Sequence, residues 1–247
     1  MIKVGIADYG IWFYEGGLFD FEQRLLDLKS IGYDGQERLY AASPSDAIHK
    51  AAKFRKLGMD FATCLTAEIA HSIEWTAALG KEYVWIDVQA TEFEVYCRQV
   101  NTQIRATNRY GLKTALHNHM GATVETQEQL LRFLKDCPEA GLILDTGHLG
   151  IAEGGDPVYI VENYFNRIVS IHLKDWVMQD PAAEKWHNRG YFCELGGGNF
   201  PIDQEGVVRA LQKKGYDKWI FIEHETHLRE PLEDLKHSRD VLKKWGV

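Results

Sequence analysis

Four segments in the second half of this 247-residue chain end an apolar run on side chains that bind metals or move protons. They read Leu116-His117-Asn118-His119, Leu144-Asp145-Thr146-Gly147-His148, Ile171-His172-Leu173-Lys174-Asp175 and Phe221-Ile222-Glu223-His224-Glu225. Imidazole and carboxylate are the ligands a first-row divalent ion takes. One or two histidines with Asp145, His172 and Glu223 would therefore make a mixed nitrogen and oxygen site. Such a set suits Mn, Co, Zn, Fe or Mg with incomplete discrimination, and its open positions would accept a ketone and a neighbouring hydroxyl. A ketone held that way has an acidic α-proton for a side-chain base to take. His117 and His119 point the same way under strand alternation, so either is eligible as the ligand. The plain alternative is that such residues only bond turns at strand ends. Four successive segments of one kind favour chemistry.

These residues need elements that carry them to one point. Short β-branched or aromatic runs alternate with segments of helical period at roughly 25 to 30 residues, the pattern of a parallel sheet. The runs predict strands at Val4–Tyr9, Gly35–Leu39, Asp60–Thr66, Tyr83–Gln89, Thr114–His119, Leu142–Thr146, Val169–Lys174 and Trp219–Glu225. Apolar stripes between them (Phe21, Leu25, Leu28 and Ile31; Leu130, Leu131 and Leu134; Leu232, Leu235, Leu242 and Trp245) predict helices that pack on the sheet. Gly32, Gly58, Gly111, Gly141 and Gly215 fall where helices should end and strands begin. The expected fold is a single α/β domain over residues 1–247, a (β/α)8 TIM barrel, whose active site lies at the C-terminal ends of the strands. A doubly wound open sheet ranks second. It usually brings a glycine-rich turn after its first strand, and here that turn reads Ala7-Asp8-Tyr9-Gly10-Ile11-Trp12-Phe13.

The stretch His117-Asn118-His119-Met120-Gly121-Ala122-Thr123-Val124-Glu125-Thr126 stands with Asp145-Thr146-Gly147-His148-Leu149, His172-Leu173-Lys174-Asp175 and Glu223. This combination resembles the sugar phosphate isomerase/epimerase superfamily, which has the xylose isomerase-like barrel. Within it, these stretches and the Arg167-Ile168 lead are most similar to the inosose dehydratases. The resemblance implies a divalent metal held by His117, Asp145, His172 and Glu223, with His117 favoured over His119 as the ligand. It also implies that His148 and Lys174 face the substrate. Catalytic roles are expected for Glu223, Lys174, His148 and His119: Glu223 or a histidine of the fifth strand as the base, and Lys174 or His148 to protonate a leaving hydroxyl or hold substrate oxygens. Epimerases of the superfamily pair a glutamate on the fifth strand with the one on the eighth, and here the fifth strand offers histidine. That departure favours a lyase, a dehydratase of a keto-cyclitol or keto-sugar, over a ketose isomerase or epimerase. A DNA-repair endonuclease of the AP class would need more ligands and a basic mouth, and a non-catalytic subunit is the other alternative.

Around this centre, Glu37, Glu68 and Asp87 end the second, third and fourth strands and are expected to line the pocket wall. Glu37, Asp87, His119, His148, Lys174 and Arg189 form the expected substrate-binding set. Arg189, with Trp186 and His187, belongs to a segment that is either a lid or surface decoration. Trp12 and Phe13 would stack on a sugar face or make a subunit contact. Lys174 and Asp175 would be a plain ion pair if they were not functional. Cys193-Glu194-Leu195-Gly196-Gly197-Gly198-Asn199-Phe200 suits a phosphate loop or a tight closing loop, and the acidic Glu194 argues for the latter.

A net charge of −8 argues against nucleic-acid partners, which are held by clustered Lys and Arg. No run approaches the roughly 20 apolar residues of a membrane span. Cys64, Cys97, Cys137 and Cys193 form no metal-binding pair and read as free thiols in a reducing compartment. The expectation is a cytoplasmic homo-oligomer acting on a small sugar or cyclitol.

Overall fold

The computed structural model describes residues 1–7, 20–223 and 228–247. Eight parallel strands make one sheet: β1 (Lys3–Ile6), β2 (Gly35–Tyr40), β3 (Asp60–Leu65), β4 (Tyr83–Trp85), β5 (Lys113–His117), β6 (Gly141–Asp145), β7 (Ile168–Leu173) and β10 (Trp219–Ile222). Their order is β3-β2-β1-β10-β7-β6-β5-β4, a nearly closed barrel in which β3 and β4 meet by packing rather than by ladder hydrogen bonds. The remaining pair, β8 (Asp175–Met178) and β9 (Gly190–Cys193), is an antiparallel hairpin inserted after the seventh barrel strand.

Each expected run holds a strand. The fourth is shorter than expected because Gln103 takes over the backbone beyond Trp85, accepting from Asp87 N at 2.9 Å and donating to Trp85 O at 2.8 Å. The fifth ends at His117, so His119 belongs to the loop that follows. Trp12, Phe13, His224 and Glu225 lie outside the described residues, as do the ends expected for the first and eighth runs.

The described helices are α1 (Phe21–Ile31), α2 (Pro44–Lys56), α3 (Ile69–Ala78), α4 (Phe93–Asn108), α5 (Gln127–Asp136), α6 (Thr146–Ile151), α7 (Pro157–Tyr164), α8 (Gln204–Lys213) and α9 (Pro231–Lys244). Local chemistry starts and stops them. Asp20 accepts from two amides of the first turn of α1, and Thr126 and Gln129 close a reciprocal capping box on α5, a device that contributes about 1 kcal/mol. Gly32 ends α1 at φ 100°, a conformation that glycine adopts without a Cβ clash. Gly141 has a different reason to be glycine: it opens β6, where a Cβ would meet Val169 Cγ1 at 2.7 Å.

The core has two layers. One lies between sheet and helices and joins Leu25, Phe54, Val100, Leu130, Phe133, Val208 and Leu235 to strand residues such as Leu142 and Ile220. The other fills the barrel with strand side chains alone: Ala62, Tyr83, Ala115, Ile143, Trp219 and Phe221. Trp219 and Phe221 stack there at 5.1 Å. A filled interior leaves polar strand residues free to gather at the C-terminal rim. Among the described residues, no helix is long and apolar enough to cross a membrane.

Candidate metal centre

Strand register brings the four expected ligands together. Asp145 pairs with His172 across β6 and β7, and Phe221 pairs with His172 from the other side. Glu223, two residues past Phe221, therefore emerges on the same side as Phe221. On β5, His117 pairs with Ile143, two residues before Asp145. One donor atom from each of His117, Asp145, His172 and Glu223 lies within 4.8 Å of the others, and the last three residues are buried.

Two local devices set Asp145. Its Oδ1 caps α6 by accepting from His148 N at 2.7 Å, which aims Oδ2 into the cluster. Asn118 clamps its backbone, donating to Asp145 O and accepting from Asp145 N, both at 2.9 Å. The Thr146 hydroxyl lies 2.9 Å from His172 O and 2.7 Å from Gln204 Oε1, its one hydrogen shared between the two, and Gln204 donates to Lys174 O at 2.7 Å. Asn118, Thr146 and Gln204 thus hold the ligand-bearing strand ends in register. Asn118 drew no expectation from the sequence, although its place between two histidines is a signal that could have found it. Gln204, on the distant α8, gave no signal in the sequence.

His172 Nδ1 stands 2.6 Å from Glu223 Oε2, and its Nε2 stands 2.9 Å from Glu37 Oε2. Lys174, its side chain fully buried, sets Nζ 3.0 Å from Asp145 Oδ2 and 3.3 Å from Glu223 Oε2. Burial alone would raise the Asp145 and Glu223 carboxyls. The Lys174 ammonium and the imidazoles override it, holding Asp145 well below the usual carboxylate range and lowering Glu223 as well. Burial disfavours charge on His172 too, yet Glu37 and Glu223 raise it to about 10. Burial pushes His148 well below the usual imidazole value, with Lys174 adding to the effect, so His148 is neutral.

The residues fit a divalent ion. His117 Nε2 is buried and makes no hydrogen bond, although Asp145 Oδ2 lies at 3.3 Å and Glu223 Oε2 at 3.8 Å. A buried ring nitrogen that faces two carboxylates without a formed bond has its lone pair suited to a cation between them. Three buried carboxylates (Glu37, Asp145, Glu223) against one ammonium leave two negative charges, the complement of one divalent ion that would displace the extra proton of His172 and leave both imidazoles neutral. The donor set of two nitrogens and two oxygens suits Mn, Fe, Co or Zn.

The other expected site residues sit as follows. His119 is half-buried, bonds Met120 O through Nδ1 at 2.6 Å and lies against His148 at a ring distance of 3.7 Å. Glu37 is wholly buried, with Oε2 on His172 and Oε1 accepting from Tyr83 OH at 2.9 Å and Trp85 Nε1 at 3.3 Å. Asp87 is exposed on a cavity of about 190 Å³ that it shares with Arg38, Thr66 and Trp85, at the seam between β3 and β4. Glu68 is exposed near His71. Arg189 is spent on its own loop, donating to Ala183 O at 2.8 Å, and is not gathered with the cluster. Lys174 pairs with Asp145 and Glu223 rather than with Asp175, which accepts from Gly196 N at 2.6 Å. That bond occupies an amide of the glycine-rich stretch, and Gly198 packs on the Trp176 backbone, so the stretch is a tight return from the hairpin.

Aromatic rings wall the cluster. Trp85 stacks on His117 at 4.6 Å, Phe192 of β9 lies 4.7 Å from His148 and beneath Lys174 Nζ, and Trp186 at the hairpin tip stands 5.7 Å from His148. A separate cavity of about 260 Å³, lined by Lys3, Asp60, Lys81 and Trp219, opens at the opposite end of the barrel, away from these residues.

Residues 25–245 match the family model described as xylose isomerase-like TIM barrel. An inosose dehydratase of Lacticaseibacillus casei is 32% identical over 123 residues, 47% of this chain and 41% of that protein. One of Mesomycoplasma hyopneumoniae is 24% identical over 98% of this chain and 95% of its own length. The chain thus spans about half the length, or less, of the more identical curated relatives it matches. A solved L-ribulose 3-epimerase superposes with a TM-score of 0.75 at 19% identity, covering 99% of this chain and 94% of the other, which shows a shared fold. With the family model spanning nearly its whole length, the chain belongs to the xylose isomerase-like TIM barrel family.

Proposed function

We propose that the protein is a divalent-metal-dependent dehydratase of a keto-cyclitol or keto-sugar, with His117, Asp145, His172 and Glu223 as the metal ligands. The observation that carries this reading is the convergence of those four side chains at the barrel rim, around a site that holds two net negative charges once both imidazoles are neutral ligands. The curated relatives named inosose dehydratase support the substrate class. A bound Mn, Co, Zn, Fe or Mg ion would polarise the substrate ketone and acidify the neighbouring C–H.

The chain's own residues supply the rest. Glu223, at the rim and 7% exposed, takes the proton from the carbon beside the ketone. Lys174 donates a proton to the β-hydroxyl, which departs as water while the C–H electron pair forms the new double bond. His119 and neutral His148 hold substrate oxygens, and the aromatic wall excludes water. Histidine at the fifth strand, where a second carboxylate would serve two-base epimerisation, favours elimination. We also propose that the enzyme works as a single-domain homo-oligomer in the cytoplasm, where the four free buried thiols stay reduced.

The test compares metal content and 2-keto-myo-inositol turnover of the parent and of His172→Ala, followed by absorbance and by mass. Stoichiometric metal lost in the variant, with water eliminated only by the parent, is the expected result. Metal held equally by both would sink the site. Metal with isomerised product of unchanged mass would replace the dehydratase with a ketose isomerase or epimerase.

A further inference from the structure

Glu37 was expected to bind substrate, yet it has no free oxygen to offer. Its Oε2 accepts from His172 Nε2 at 2.9 Å, while its Oε1 takes hydrogen bonds from Tyr83 OH and Trp85 Nε1 at 2.9 and 3.3 Å. The side chain crosses the barrel from β2 to β7 at 0% exposure. We infer that Glu37 is a positioning residue: it fixes the ring of His172 so that Nδ1, and not Nε2, is the atom presented to the metal.

A histidine ligand binds through one nitrogen and carries its proton on the other, and the group that accepts that proton decides which is which. On the Nε2 side of His172 the partner is Glu37. On the Nδ1 side lie Glu223 at 2.6 Å and Asp145 at 3.9 Å, the two oxygens of the cluster. Tyr83 and Trp85 in turn fix Glu37, because both donors converge on its second oxygen and leave the first aimed at the imidazole. The same Trp85 lies against His117 at 4.6 Å, so one indole steadies both histidines of the cluster.

Glutamine at position 37 cannot reproduce this. With its oxygen toward His172, its NH2 faces Trp85 N–H, donor against donor. With its NH2 toward His172, the ring must carry its proton on Nδ1, which removes Nδ1 as a ligand. Outer-shell partners of this kind change metal affinity by about 10- to 100-fold.

The inference rests on the metal reading, and the test separates the two. Co²⁺ is titrated into the metal-free parent, Glu37→Gln and Tyr83→Phe, following the visible Co²⁺ bands, and the melting temperature of each metal-free protein is recorded. A parent that binds no Co²⁺ refutes the metal site itself. With a binding parent, the inference expects Glu37→Gln to bind about 10- to 100-fold more weakly with altered Co²⁺ bands. Tyr83→Phe, which removes one donor from Glu37 and keeps its charge, should bind more weakly than the parent while melting within a few degrees of it. Parent-like affinity and bands in a folded Glu37→Gln would overturn the inference. If that variant does not fold, Tyr83→Phe decides: unchanged affinity overturns it, weakened affinity at unchanged metal-free melting upholds it.

Discussion

Lys174 sets its ammonium nitrogen 3.0 Å from Asp145 Oδ2, the same oxygen that stands 3.3 Å from His117 Nε2. A cation built into the protein therefore shares an oxygen with the divalent ion that the cluster fits. Removing the ammonium by Lys174→Met leaves Asp145 and Glu223 buried with less positive charge to balance them. Breaking a buried pair in this way costs about 3–5 kcal/mol. A divalent ion, which binds the folded state, restores part of that loss. Melting in EDTA and in excess Mn²⁺ measures the effect. The gap between the two should be wider for Lys174→Met than for the parent, and turnover should be lost. Equal gaps would show that lysine and metal do not share oxygens.

The choice between His117 and His119 as the ligand can be decided by substitution. His117 ends the strand with a buried, unbonded Nε2 facing Asp145. His119 lies in the loop with Nδ1 on Met120 O. His117→Ala should weaken metal binding by more than the roughly 10–100-fold that losing an outer-shell partner costs, whereas His119→Ala should retain the metal and lose turnover. Equilibrium titration with Mn²⁺ distinguishes them, and the reverse pattern would move the ligand to His119.

The barrel was legible because its signals are local. Alternating runs and stripes gave eight strands, and residues ending four of those runs gave the cluster, since register follows from strand alternation once the sheet is parallel. What was missed depends on distance in the chain. Glu37 was expected at the end of its strand but lies in the middle of β2, and nothing local says that it crosses the barrel to His172 while Asp87 of another run stays on the surface. Gln204 reaches Thr146 and Lys174 from α8, a contact set by helix packing. The hairpin of β8 and β9 hid because its turn, residues 179–189, is mostly polar, carries Pro181 and reads as loop, and its pairing of Asp175 with Cys193 spans residues no periodicity links.

The thiols carry a pH prediction. Burial pushes Cys64 up to about 11 and Cys137 and Cys193 up to about 12, and it raises Cys97 as well. The thiolate is the nucleophile, so iodoacetamide at pH 8 should label the native protein on the order of 100-fold more slowly than the urea-unfolded chain. The sign for stability follows from the direction. A folded value raised above the unfolded one means that the native state holds the proton, so this contribution is complete below about pH 9. It is lost as pH rises toward about 12. Native labelling as fast as unfolded labelling at pH 8 would contradict the buried placement of all four.

Trp186 offers the sharpest test of the hairpin. It sits in the 3-10 turn Trp186–Asn188 between β8 and β9, edge-on to His148 at 5.7 Å and to His119 at 6.1 Å. Arg189 holds that tip by donating to Ala183 O, and a Cβ on Gly121 would come within 3.4 Å of the Trp186 indole nitrogen. The ring is half-buried, so it has a face left for a sugar or cyclitol ring lying over the two histidines. Stacking of this kind contributes about 0.5–1.5 kcal/mol, which converts to a rise in KM of roughly 2- to 12-fold for Trp186→Ala. Trp186→Phe should recover most of it. Metal affinity should not move, because the indole contacts none of the four ligands closely enough to orient them. Steady-state kinetics on the two variants, beside Mn²⁺ titration, makes the separation: a lowered kcat at unchanged KM would place Trp186 with the groups that orient the histidines, not with those that hold the substrate.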